Sequence, residues 1–162
     1  MSPAMNFIPL HDPRWQPLQD DEAPRAHALL ALARWQALRG QWPQALPVGV
    51  TLANTDDVAA LGPDAARLSL VVLHFPKWTD GRAYSQARLL RGRLRYQGEL
   101  RASGDVVVDM LPLLLRSGFD AVQLRAGQSE HTARQSLGFF GGHYQADLRR
   151  PEPPFGRAHA LA

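Results

Sequence analysis

The residues from His74 to Arg91, HFPKWTDGRAYSQARLLR, crowd more chemistry-bearing side chains together than any other stretch of the chain. Lys77 and Arg82 bring positive charge. Thr79 or Asp80 can cap a helix that starts near the middle of the stretch, and Gly81 allows close backbone approach. Tyr84 and Ser85 fall in the first turn or so of that helix, and Arg88 lies one turn beyond Tyr84. A helix start offers free N–H groups and the positive end of a dipole, so the pattern suits an anion such as phosphate, sulfate or a carboxylate. A second cluster, Arg101, Ser103, Gly104 and Asp105, ends the next repeat in a similar way. The plainer alternative is a helix cap with Lys77 and Arg82 in water. His74 and Lys77 are the catalytic candidates: His74 as a proton donor or a hydrogen-bonded structural residue, Lys77 as a cation whose pKa responds to burial.

Strand alternation adds an independent hint. Leu70, Val72 and His74 share one face of a strand, and Glu99, Arg101 and Ser103 share one face of the next. Thr51 and Gln123 are candidates for that face on the flanking strands. Polar residues near strand ends fit a barrel-like interior that opens into a site.

These residues need a frame. Residues 1–20, rich in proline, read as an extended arm. Residues 21–40 read as a helix with Asp20 or Asp21 as cap, ended by Gly40. From 45 to 147, strands and helices alternate. The strands are LPVGVTLA, RLSLVVLHF, GELRAS and FDAVQL. The helices begin at Asn54 or Thr55, near Asp80, at Asp105 and near Ser129. Pro112 should kink the third of these helices or start it afresh. Residues 149–162 read as a loose tail. The expectation is a single α/β domain of four βα units. Its mainly parallel sheet is open or half-barrel-like and follows an N-terminal arm and helix.

Composition narrows the function classes. The chain has 162 residues, 45% hydrophobic and 20% charged, with formal net charge +3. All but one of its 18 Lys and Arg residues are Arg, scattered and without aromatic interleaving. That argues against a nucleic-acid surface. No cysteine is present, which excludes thiol catalysis, disulfides and cysteine-ligated clusters. No dinucleotide or nucleotide phosphate loop and no nucleophile-elbow motif occurs. The six histidines show no metal-ligand spacing, so no metal is expected. The longest apolar run is too short for a membrane span and no secretion signal leads the chain, so the expected compartment is the cytoplasm.

The run from Val72 to about Leu124 resembles the bacterial family known as domain of unknown function 934. The residues that carry the likeness are HFPKWTDGRAYSQARLLR, YQGELRASGDVVVDM and RSGFDAVQL, with FFGGHYQ and IPLHDPRW as weaker matches. Lys77, Thr79, Asp80, Gly81, Arg82, Tyr84, Ser85, Arg88, Arg101, Gly104, Asp105 and Asp109 match the family pattern, which carries no established catalytic role. VVVDMLPLLLRSG departs from it, being less polar and lacking a Cys near the Gly. The resemblance implies an association with assimilatory sulfite reduction and an oxidoreductase label, and a redox role would need a borrowed cofactor.

Three functional expectations follow. In the first, a small anionic ligand binds at the carboxyl ends of the strands through Lys77, Thr79, Asp80, Gly81, Arg82, Tyr84, Ser85, Arg88, Arg101, Ser103 and Asp105. In the second, the protein is a non-catalytic partner that docks on sulfite reductase or forms a homodimer. In the third, Asp80, Arg82 and Asp105 form a charge network that braces neighbouring loops.

Overall fold

The structure, a computed structural model, describes residues 4–138. Its strands are β1 (Asn6–Phe7), β2 (Gln16–Pro17), β3 (Ala28–Ala31), β4 (Val48–Leu52), β5 (Leu70–Phe75), β6 (Glu99–Gly104) and β7 (Ala121–Val122). They pair in parallel in the order β1-β7-β6-β5-β4-β3-β2 and curl into a half-barrel. The helices are α1 (Leu32–Leu38), α2 (Arg82–Gly92), α3 (Leu111–Arg116) and α4 (Glu130–Ser136). Two 3₁₀ segments, Val58–Arg67 and Val108–Met110, complete the connections. No helix among the described residues is long and apolar enough to cross a membrane.

The central strands are Val- and Leu-rich because both of their faces are covered. On the helix side, Leu30, Val50, Val71, Leu73, Phe75, Leu100, Ala102 and Val122 join one continuous core. Helix α2 adds the stripe Ala83, Gln86, Ala87 and Leu90. Gln86 is the polar member, and its amide donates to the carbonyls of Ala53 and Asp56, fixing the loop after β4.

Register stacks the opposite, inner face in layers. Leu29, Gly49, Leu70 and Glu99 form the lowest, and Ala31, Thr51, Val72, Arg101 and Ala121 the next. His74 and Ser103 pair in the third. Gln123 follows one residue beyond β7. The N-terminal arm covers this face. Its Trp15 ring is buried against Leu29, Leu70 and Val72. Gly49 makes the room, since a Cβ there would stand 3.2 Å from the Trp15 ring.

The expected helix at 21–40 is corrected. Ala28–Ala31 is a strand, paired with both β2 and β4, and the helix shrinks to α1. His27 has a positive φ of 58°, which no helix accommodates. Neither Asp20 nor Asp21 caps α1, whose cap position is Ala31; the Glu22 carboxylate accepts the Gln19 N–H. Ala, Leu and Arg suit a helix intrinsically, but sheet pairing outweighs that small preference.

Smaller corrections follow the same logic. The four expected strands are β4–β7, and the arm and the expected helix supply three more. The segment after β4 is 3₁₀ and is capped by Asp57 rather than by Asn54 or Thr55; the Asp57 carboxylate accepts the Ala59 N–H. Asp105 is not the cap of α3, which starts at Leu111 with Pro112 in its first turn. There the missing proline N–H costs nothing. The segments 139–147 and 149–162, with FFGGHYQ and His143, lie outside the described residues.

Candidate functional site

Arg101 is the charge on the inner face that most needs an explanation. Its side chain is only 4% exposed. A buried guanidinium is costly unless it is paired and hydrogen-bonded. Two carboxylates meet that need. Nε and Nη2 both donate to Glu99 Oε1, at 2.9 and 2.7 Å, and Nη1 donates to Asp12 Oδ2 at 2.7 Å. Glu99 is a strand neighbour, whereas Asp12 reaches in from the arm.

Asp12 is held by its own turn as well, because Oδ1 accepts the Arg14 N–H at 2.8 Å. Burial pushes its carboxyl up, but the Arg14 amide, the Arg101 guanidinium and the Trp15 amide together outweigh burial. Its pKa lies below the ordinary 3.8.

Arm and sheet border an open cleft of about 480 Å³ beside this pair. Thr51, Ser103 and Gln123 line it from the sheet, and Gln19, Glu22 and Arg25 from the segment between β2 and β3. The size is that of a small-molecule site. Ser103 Oγ lies 3.5 Å from His74 Nδ1, and Gln123 Nε2 donates to the Pro9 carbonyl. No carboxylate among the described residues hydrogen-bonds to His74, so His74 and Ser103 lack the third group that orients a nucleophile and its base. The arrangement can donate hydrogen bonds to a bound oxygen and offer an imidazole for proton exchange.

Gly104 lets the imidazole lie where it does. Its φ is +92°, and an added Cβ would fall 2.3 Å from the Phe75 carbonyl oxygen and 2.6 Å from His74 Cε1.

The other expected site residues form a separate group along the carboxyl rim. Asp80 accepts two hydrogen bonds from the Arg82 guanidinium and one from Asn54 Nδ2 at 2.7 Å. Arg82, and then the other donors, hold its pKa below 3.8. Asp105 accepts from Arg125 Nη1 at 2.7 Å and from the Trp78 N–H at 2.9 Å, and these two also lower its pKa. Asn54–Asp80, Trp78–Asp105 and Asp105–Arg125 thus tie together the loops that follow β4, β5, β6 and β7. Gly81 starts α2. Tyr84 meets the Phe75 ring edge to face at 5.2 Å, on the helix side of the sheet. Burial pushes its hydroxyl up to about 12.

Ser85, Arg88, Thr79 and Asp109 are exposed. Lys77 and Arg88 make no ion pair among the described residues. The expected set therefore divides. Arg101 and Ser103 line the inner cavity with His74 beside them. Asp80 and Asp105 tie neighbouring rim loops through Asn54, Trp78 and Arg125, Arg82 pairs with Asp80 within one loop, and Tyr84 packs on Phe75. No group of three metal-ligating side chains gathers among the described residues.

Sequence reasoning missed Asp12 as the partner of Arg101, and it missed Arg125. A lone aspartate in a Pro-rich arm carries no periodic signal, and Arg125 follows the last strand with no motif around it.

The family model described as a bacterial protein of unknown function, DUF934, matches residues 49–155. The chain belongs to this family. The match runs from β4 through the rim loops and Arg101, while Asp12 and Trp15 precede it. No curated protein matches the chain.

Proposed function

We propose that the protein binds a small anionic ligand at the carboxyl ends of its strands, as an accessory of assimilatory sulfite reduction. The observation that supports this reading is the buried Arg101 beside a cavity lined by Thr51, Ser103 and Gln123. Ser103 and Gln123 lie toward the carboxyl ends of β6 and β7, the end where ligands bind in a parallel sheet. Unpaired Lys77 at the end of β5 raises the local concentration of anions. The link to sulfite reduction comes from family resemblance. An oxidoreductase role would require a cofactor from a partner, with His74 as the proton-carrying group.

The test is calorimetric titration of sulfite, sulfate, phosphate and lactate into the wild type, Lys77→Ala and Ser103→Ala at low salt. The proposal expects at least one anion to bind the wild type and to bind both folded variants more weakly. Equal binding by all three proteins, or none, would reject it.

A second reading, a non-catalytic partner that docks on sulfite reductase, draws on two exposed apolar side chains. Trp78 is 55% exposed and Leu10 is 63% exposed. Trp78 follows β5, and Leu10 adjoins Pro9, which is bonded to Gln123. Capture of sulfite reductase that survives Ser103→Ala but is lost in Trp78→Ala would favour docking.

A further inference from the structure

We infer that Asp12 occupies Arg101 in place of a ligand's carboxylate, and that the ligand is a small organic acid bearing hydroxyl or carbonyl groups. The inference rests on the cavity being the ligand site and names what that site takes.

Three observations carry it. First, the pairing is one for one. Arg101 presents its Nη1 edge to Asp12 while Nε and Nη2 stay on Glu99. An incoming monocarboxylate can take the Asp12 position without changing the local charge. A sulfate or phosphate dianion would add a second negative charge beside Glu99, whereas Glu22, on the same cavity, already has Arg25 at 3.8 Å. Like charges crowded around one guanidinium disfavour each other.

Second, the surroundings are mixed. Thr51, Ser103 and Gln123 are neutral hydrogen-bonding groups, and Leu29, Val72 and Trp15 are apolar. A short carbon chain with a hydroxyl or carbonyl beside its carboxylate satisfies both sets, whereas a bare inorganic anion leaves the apolar wall unused.

Third, exchange needs little movement. The arm is anchored on both sides of Asp12. The Ile8 N–H donates to the Val122 carbonyl, and Trp15 is buried in the inner face. Pro9 is held as well, its carbonyl accepting from Gln123 Nε2, so only residues 10–14 must shift, and Leu10 within them is mostly exposed. The Asp12 turn is thus a displaceable internal competitor on a site that otherwise stays assembled.

Calorimetry with lactate and with sulfate, on the wild type and Asp12→Ala, tests this. Lactate should bind Asp12→Ala roughly tenfold or more tightly than the wild type, and sulfate should gain nothing comparable. In the wild type, saturating lactate should speed hydrogen exchange of the Arg14 amide, which Asp12 now protects. That readout and Asp12→Asn serve if the alanine variant fails to fold. Equal lactate affinity with unchanged Arg14 exchange, or an equal gain for sulfate, overturns the inference. Sulfate binding to the wild type without lactate binding to any variant removes the organic acid but leaves the anion site. If neither anion binds any of the proteins, the inference falls, and the anion site falls with it if sulfite and phosphate also fail to bind the wild type.

Discussion

Asp12 and Arg101 stand 89 positions apart in the sequence and meet at 2.7 Å. That one contact fastens the N-terminal arm to the middle of the sheet's inner face. It also makes the arm part of the candidate site rather than a neighbour of it.

Removing either partner should be unequal. Asp12→Ala leaves Arg101 with Glu99 and should cost about 1.5–3 kcal/mol, the range for a charged hydrogen bond. Arg101→Ala strands two carboxylates, and it should cost about 3–5 kcal/mol. Urea denaturation of both variants checks the order, and a milder Arg101→Ala would contradict it.

Acid should loosen the fold through the same contacts. The carboxyls of Asp12, Asp80 and Asp105 are all held below 3.8. A carboxyl with a depressed folded pKa adds stability above its unfolded pKa and loses it as pH falls through the folded value. The urea midpoint should therefore hold steady from about pH 7 to 5 and fall below about pH 4. A midpoint that rises on acidification would refute this assignment.

Gly104→Ala should damage the site and the fold together. The new methyl would meet the Phe75 carbonyl and the His74 ring, on a backbone with φ +92°. A loss of about 1–3 kcal/mol is expected. NMR should show the His74 ring resonances displaced, and an unmoved imidazole would count against the close packing.

Lys77→Ala should behave in the opposite way. Lys77 is exposed, so stability should stay within about 0.5 kcal/mol while anion binding weakens and becomes less sensitive to salt. Thermal unfolding and a salt series of titrations separate these effects.

The inner face was legible in the sequence because strand alternation needs no partner to be read. Val72 with His74, and Glu99 with Arg101 and Ser103, follow from period two alone. The Asp80–Arg82 turn was legible for the same local reason. Asp12 was not, because its role depends on a contact that only the folded chain creates. Strand β3 was hidden by its composition, since ALLALARWQAL satisfies a helix as well as a buried strand. Strands β1 and β2 are two residues each, too short to show any period.

The central claim is that a small anion is held on the inner face of the half-barrel. The most direct test is a crystal structure grown in lactate. The account predicts an ordered lactate with its carboxylate on Arg101 and its hydroxyl within hydrogen-bond reach of Thr51, Ser103 or Gln123. Crystals in which Asp12 still holds Arg101 and lactate lies only on the outer surface would contradict it.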